Sequence, residues 1–162
     1  MIVVSDTSPL AALSAIQRVD LLTQLYGRVL IPEAVWQELV EGRRRAGRNQ
    51  VLDAPWIERR SVENRQLVIA LLQDLDKGEA EAIALAVETD ADLLIVDERI
   101  GRRTAQRFGL NVIGVIGVLV DAKHHGLIVS IRPVLDQLRV LAGFYISDSL
   151  YQRVLADQGE TP

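Results

Sequence analysis

The chain has 162 residues, of which 49% are hydrophobic and 25% are charged, and its formal net charge is −4. These values are close to the globular average, so they predict one folded domain with a sizeable core and exclude a largely disordered chain. The absence of cysteine excludes disulfides, thiol catalysis and cysteine-bound zinc. The longest apolar run, "VIGVIGVLV", is too short to span a bilayer and no signal peptide is visible, so we expect a soluble cytoplasmic protein.

Strands and helices alternate from the start of the chain. "IVVS" predicts a buried strand that runs into Asp6, and the helix that follows has Ser8 as its expected N-cap. A second short helix comes next, "RVLIP" predicts a strand, and "PEAVWQELVEG" predicts a helix that ends at Gly42. Segment 43–55, which contains "RRRAGR", is predicted to be a loop, and "WIERRSV" is predicted to be a strand.

The alternation continues through the rest of the chain. Apolar residues at helical spacing predict a helix within 63–75, and "GEAEAIALAVET" predicts another. "ADLLIVDE" predicts a strand that again runs into carboxylates, an arginine-bearing helix follows to Gly109, and "NVIGV" predicts the last strand. Three helices, each closed by glycine, are expected after it. Continuous apolar strands between helices predict an α/β fold with a parallel sheet covered on both faces.

Acidic residues gather at one edge of this predicted sheet. Asp6 and Asp97 each follow a strand, and right-handed crossovers place the carboxyl ends of parallel strands at the same edge. Glu38 lies on the helix after the second strand, and Glu79 and Glu81 lie in the first turns of the alanine-rich helix. Carboxylates that crowd together repel one another unless a cation neutralises them, and Mg²⁺ or Mn²⁺ prefers such hard oxygen ligands. The pattern predicts a site for one or two divalent ions that activate water for phosphodiester hydrolysis.

Each of these acids also has an ordinary structural interpretation. Asp6 suits a turn or a helix cap, Glu38 and Glu81 suit a solvated helix surface, and Asp76 with Glu79 fits a capping box. Two residues on a helix are about 200° apart, so Glu79 and Glu81 cannot both face one site. We favour Glu79, which borders the apolar stripe of its helix.

Several motifs, in order along nearly the whole chain, are similar to those of one nuclease family. They are "VVSDTSPL", "IPEAVWQEL", "LDKGEAEAIALA", "LLIVDERIGRRTA", "GLNVIGVIGVLVDAKHHGLI" and "GFYISDSLYQRVLADQGE". The chain resembles PIN-domain nucleases, in particular the PIN-like branch related to VapC-type toxins. The resemblance implies a three-layer α/β/α sandwich around a parallel sheet of four or five strands. It implies a single domain over 1–162, with an acidic-site core over 1–115 and a helical C-terminal segment over 116–162.

The resemblance also implies a function. The family's catalytic, metal-binding acids correspond to Asp6, Glu38, Glu79 or Glu81, and Asp97, although VapC-type toxins usually have Asp as the third acid and Thr-x-Asp at the fourth. The implied activity is that of a Mg²⁺- or Mn²⁺-dependent endoribonuclease, the toxin of a toxin–antitoxin pair. A homodimer and an antitoxin that masks the acidic groove are the expected protein partners. The alternative is a non-catalytic PIN-like module that binds RNA or a partner protein.

Arginines follow the last of these acids at helical spacing. Arg99, Arg103 and Arg107 are four residues apart, so they share one helical face that starts beside Asp97. Because arginine forks onto phosphate oxygens, we expect this face to bind the RNA backbone without reading the bases.

Overall fold

The computed structural model describes residues 1–160, and the last two residues of the predicted C-terminal segment, 161 and 162, lie outside the described residues. In chain order the elements are β1 (Val3–Ser5), α1 (Thr7–Ala15), α2 (Leu21–Tyr26), β2 (Val29–Pro32), α3 (Glu33–Glu41), α4 (Arg48–Leu52), β3 (Ile57–Arg60), α5 (Arg65–Leu71), α6 (Lys77–Glu88), β4 (Leu93–Ile95), α7 (Arg99–Arg107), β5 (Val112–Ile113), α8 (Val115–His124), α9 (Arg132–Leu141) and α10 (Asp148–Asp157). No helix in the described part of the chain is long and apolar enough to cross a membrane.

The five strands form one sheet in the order β3-β2-β1-β4-β5, and every pairing is parallel. The central strand β1 pairs with β2, where Val4 is opposite Leu30, and with β4, where Ser5 is opposite Ile95. All five strands therefore end at the same edge of the sheet. The predicted α/β architecture, with its parallel sheet and C-terminal helices, is confirmed.

Helices cover both faces of the sheet, because successive side chains of a strand point to opposite faces. Val3 and Ile95 join a hydrophobic core with residues of α1, α8, α9 and α10, and Val4 and Leu94 join a second core with residues of α5 and α6. Leu155 of α10 is fully buried in the first core. The C-terminal helices thus share a core with β1.

The prediction of a loop over 43–55 is wrong, since this segment contains the short helix α4. Arg48 at its start is buried, and its guanidinium donates a hydrogen bond to the carbonyl of Leu39 near the end of α3, at 3.2 Å. Gly47 before it has a φ of 75°, and a Cβ there would collide with the backbone carbonyl of Ser14. Long-range packing, rather than local helix propensity, makes this helix.

The end of the described chain is fastened by Glu160. Its carboxylate accepts hydrogen bonds from Lys123 Nζ at 2.7 Å, from the Ser130 hydroxyl at 2.6 Å, and from the backbone N–H groups of Ile131 and Arg132. Burial alone would raise the pKa of Glu160, but these donors outweigh it and lower the pKa to about 2. Glu160 therefore ties α10 to α8 and to the start of α9.

We expect Glu160→Gln to lower the free energy of unfolding at pH 7 by about 1–3 kcal/mol, because a charge-assisted network loses its anion. A carboxylate with a lowered native pKa stabilises the fold above its unfolded pKa, near 4.5, and loses that effect as the pH falls towards about 2. Urea unfolding at pH 7 and pH 3 measures this, and the difference from wild type should shrink at pH 3. Asp74→Asn, at an exposed site, is the matched control, and equal effects of both variants would contradict the assignment.

Candidate metal-binding active site

Asp6 stands at the carboxyl end of the central strand. Its backbone N–H continues the sheet by donating to the carbonyl of Ile95 at 3.0 Å, and its side chain is only 5% exposed. Helix α1 starts at Thr7, so Asp6 and not the predicted Ser8 occupies the N-cap, yet the Asp6 carboxylate makes no capping hydrogen bond. Burial raises the pKa of this carboxylate, and a hydrogen bond from the backbone N–H of Thr7 lowers it only in part.

Asp97 follows the neighbouring strand β4 and meets the start of α8. One of its oxygens, Oδ1, accepts a hydrogen bond from Val115 N–H at 2.9 Å, while Oδ2 is buried without a partner. An ideal Cβ at Gly114 would lie 2.5 Å from Asp97 Oδ1 and 2.8 Å from Arg102 Nη1, so only glycine leaves room for this contact. Burial raises the pKa of Asp97, and Val115 N–H and the Arg102 charge lower it in part.

Glu79 reaches the same edge from the first turn of α6. The predicted capping box is confirmed: Asp76 Oδ1 accepts from Glu79 N–H at 2.8 Å, and Glu79 Oε1 accepts from Asp76 N–H at 3.4 Å. The other oxygen, Glu79 Oε2, is buried without a hydrogen-bond partner. An ideal Cβ at Gly101 would lie 2.9 Å from this oxygen. Capping therefore uses one oxygen of Glu79 and leaves the second available.

Glu38 completes the group from the third helix, α3. Its carboxylate lies against the Cα of Gly78, where a side chain would collide with Glu38 Oε1 and lie 3.4 Å from Asp6 Oδ1. Glu38 is the exposed member of the group, whereas Asp6 and Glu79 are buried. Gly78 thus lets two carboxylates from different elements approach each other over one backbone position.

Glu81 points elsewhere. Its Oε1 accepts a hydrogen bond from Ala34 N–H at the start of α3, at 2.9 Å, and its Oε2 pairs with Arg65 at 3.0 Å. Both oxygens of this buried carboxylate are already engaged. The geometry supports Glu79 rather than Glu81 as the site glutamate and gives Glu81 the task of joining α6 to α3.

The carboxylates act on one another electrostatically. Burial is the largest cause that raises the pKa of Asp6 to about 7, and the negative charges of Asp76, Glu38 and Asp97 raise it further. Burial also leads the rise in the pKa of Glu79 to about 8, followed by its contact with Asp76 and the charge of Asp6. At neutral pH the metal-free site therefore retains protons that isolated carboxyl groups would release.

The donor set suits a hard divalent cation. Carboxylate oxygens converge from four elements, and Glu79 Oε2 and Asp97 Oδ2 are both buried without partners. Among residues 1–160, no three acidic or histidine side chains are already arranged to enclose an ion. Mg²⁺ needs no such cage, because it keeps several waters and uses one or two carboxylates together with substrate phosphate. The residues present fit that kind of binding.

Three neighbours of the site were not predicted from the sequence as parts of it. Asp76 was recognised as a cap, but its charge also raises the pKa values of Asp6, Glu38 and Glu79. Glu98 is exposed, caps α7 by accepting from Gly101 N–H, and also lies beside Glu79. The third neighbour is Arg102, described next.

The arginines of α7 divide between two faces. Arg99, Arg103 and Arg107 are exposed, as the predicted phosphate-binding face requires. Arg102 lies between them in sequence but turns inward, where its Nη1 donates to the carbonyl of Val96 at 3.3 Å. Its position five residues after Asp97, on the first turns of the following helix, is the signal that would have found it.

Comparisons with known proteins show the family and the fold of this chain. A family model described as PIN domain (DUF3368) matches residues 2–160. A solved structure, a PilT N-terminus domain protein from the hyperthermophilic archaeon Sulfolobus solfataricus P2, is 19% identical and has a TM-score of 0.59; the match covers 75% of this chain and 93% of that one. At that identity the likeness concerns the fold alone. No curated protein matches the sequence significantly.

We expect the stability of the metal-free protein to fall as the pH rises from about 5 to about 8.5. The native state holds protons on Asp6 and Glu79 up to about pH 7 and 8, whereas their unfolded pKa values are 3.8 and 4.5, so the native state binds more protons over this range. Thermal unfolding in EDTA should show a Tm lower by roughly 5–10 °C at the upper pH.

The control for this experiment is a matched pair of aspartate variants. Asp6→Asn should flatten the pH dependence, because the amide does not titrate, and Asp74→Asn should follow the wild-type curve. A slope for Asp6→Asn that equals the wild-type slope would refute the electrostatic account of the site.

Proposed function

Because this chain belongs to the PIN-domain family, we propose that it is a Mg²⁺- or Mn²⁺-dependent endoribonuclease. The observation that carries the proposal is the group of buried carboxylates at one sheet edge, two of which keep an unpartnered oxygen: Glu79 Oε2 and Asp97 Oδ2. A buried oxygen without a hydrogen-bond partner destabilises the free protein, because its lost contact with water is not replaced. Binding of a cation would explain why the fold keeps two such oxygens. The absence of membrane-spanning helices from the described residues agrees with an RNA substrate in the cytoplasm.

Each acid has a distinct task in this proposal. Asp6, Glu79 and Asp97 are the acids from which a divalent cation would take its one or two carboxylate ligands, and the N–H of Val115 orients Asp97. A bound divalent ion supplies charge neutralisation and a lowered pKa for water. Glu38 is the most accessible of these acids, but its carboxylate is partly shielded from water, and this shielding, followed by the charge of Asp76, raises its pKa; it is therefore suited to accept the proton of the attacking water.

The arginines provide the contacts with the RNA backbone. Arg99, Arg103 and Arg107 form the exposed face of α7, which starts two residues after Asp97. Phosphate contacts from such a face fix the position of the strand but carry no sequence information. Arg102, closer to Asp97, is placed to balance negative charge when a phosphate enters the site.

We also propose that the protein is the toxin of a toxin–antitoxin pair and works as a homodimer in the cytoplasm. The support is the family resemblance to VapC-type toxins over nearly the whole chain. An antitoxin would cover the acidic groove and keep RNA out. The alternative function, a non-catalytic module that binds RNA or a protein, would leave the unpartnered oxygens of Glu79 and Asp97 without a task.

Two glutamate variants on one helix test the assignment. We expect Glu79→Gln to lower Mg²⁺-dependent cleavage of RNA by more than about a hundred-fold, since even the outer partners of a metal ligand are worth 10- to 100-fold. Glu81→Gln should retain most of the cleavage activity but lower the melting temperature, because it weakens the contacts with Ala34 and Arg65.

The readouts are cleavage of a labelled single-stranded RNA and thermal unfolding of each purified variant. Asp97→Asn should abolish cleavage while the protein stays folded. The reverse behaviour of the two glutamates would make Glu81 the ligand. RNA binding by a wild-type protein that never cleaves with either metal would favour the non-catalytic alternative.

A further inference from the structure

A short loop after α9 presents a tyrosine to solvent. Helix α9 ends at Leu141; Gly143 follows with a φ of 62°, and Phe144 N–H then donates to the carbonyl of Leu138 at 3.0 Å. Ile146, two residues on, is buried. Between these anchored positions Tyr145 is 85% exposed. The loop is thus held at both ends, and the ring of Tyr145 contributes almost nothing to the core.

The backbone on the far side of the tyrosine is also fixed. Arg139 donates from Nη2 to the carbonyl of Ile146 at 2.8 Å, and the same guanidinium lies over the ring of Tyr151, 4.2 Å from its centroid. An exposed aromatic ring on a fastened loop loses little conformational freedom when a ligand covers it.

Tyr145 stands beside the acidic site. A cavity of about 450 Å³ is lined by Asp97, Arg102, Gly114 and both aromatic residues of the loop, Phe144 and Tyr145. This volume lies within the range of pockets that hold small organic groups. One cavity therefore contains a carboxylate of the proposed metal site, a guanidinium and an accessible aromatic ring.

A second cavity is lined by the same two aromatic residues. It has a volume of about 510 Å³, and Ser8, Arg45 and Arg48 also line it. Of these two arginines, Arg45 is exposed and Arg48 is buried. Tyr145 thus lines two cavities that each contain an arginine, and Asp97 lines the first of them.

We propose that Tyr145 is a stacking platform for an unpaired base next to the phosphate held at the acidic site. This inference rests on the proposed nuclease function. A phosphate held near Asp97 and Arg102 brings an adjacent nucleotide into the shared cavity, and base-on-aromatic stacking is the usual way in which proteins hold splayed bases. A base inside a duplex is stacked between its neighbours and cannot cover the ring. Tyr145 is a positioning residue in this scheme and takes no part in the chemistry.

Binding to intact RNA tests this directly. The probe is a short single-stranded RNA that carries one fluorescent adenine analogue, and the protein carries Asp6→Asn so that the strand is not cut. We expect Tyr145→Ala to weaken binding about ten-fold and to remove the fluorescence change caused by stacking. Tyr145→Phe should restore both, because the face of the ring and not the hydroxyl makes the contact.

Two controls separate stacking from other roles. Val140→Ala, at an exposed position on α9 that lines neither cavity, should bind the RNA like its parent. The same RNA made double-stranded should bind Tyr145→Ala and its parent equally. The proposal would be overturned if Tyr145→Ala lost the same affinity for single-stranded and double-stranded RNA. It would also be overturned if Tyr145→Ala lost no affinity for single-stranded RNA. A change in oligomeric mass with unaltered RNA affinity would overturn it as well and would make the tyrosine a protein contact.

Failure of the nuclease function gives a different result. If the wild-type protein never cleaves RNA but Tyr145→Ala still loses single-strand affinity, the stacking site stands and the catalytic proposal falls. If the wild-type protein cleaves and Tyr145→Ala changes neither KM nor binding, the stacking proposal alone is wrong.

Discussion

The burial of carboxylates beside one another is the constraint on which the rest of this structure depends. Asp6 and Glu79 are almost inaccessible to water, and other acids lie around them. In the free protein the site lowers its charge by keeping protons, with pKa values of about 7 for Asp6 and about 8 for Glu79. A cation can replace those protons, and the fold is then stabilised by the same carboxylates that oppose it without one.

The acidic side chains are close together because the backbone passes close to their carboxylates at glycine residues. A Cβ at any of three glycines would meet an acidic oxygen of the site. The glycine is Gly78 for Glu38, Gly101 for Glu79 and Gly114 for Asp97. The sheet fixes the positions of Asp6 and Asp97, because these residues follow β1 and β4, which are hydrogen-bonded neighbours in the sheet. A site built from strand ends and helix starts inherits the rigidity of the core beneath it.

Much of the fold could be predicted from the sequence, because continuous apolar strands between helices indicate a parallel sheet. Asp6 and Asp97 directly follow two of these strands, so the sequence also indicates the edge of the sheet at which the site lies. Glu79 could be favoured over Glu81 because it borders the apolar stripe of its helix, and helical periodicity can be seen in the sequence. Asp76 and Arg102 were missed as site members, because the capping box already accounts for Asp76 and the position of Arg102 five residues after Asp97 does not by itself show which way its side chain turns. The short helix α4 escaped prediction likewise, because buried long-range contacts make it.

The exchange of protons for a cation is the central claim, and calorimetric titration with Mn²⁺ tests it most directly. Titrations at pH 7 in buffers of different ionisation enthalpy give the number of protons released for each ion bound. The account predicts release of about one proton per ion by the wild-type protein, and less by Asp6→Asn. Mn²⁺ binding without proton release, or no binding at all, would contradict it.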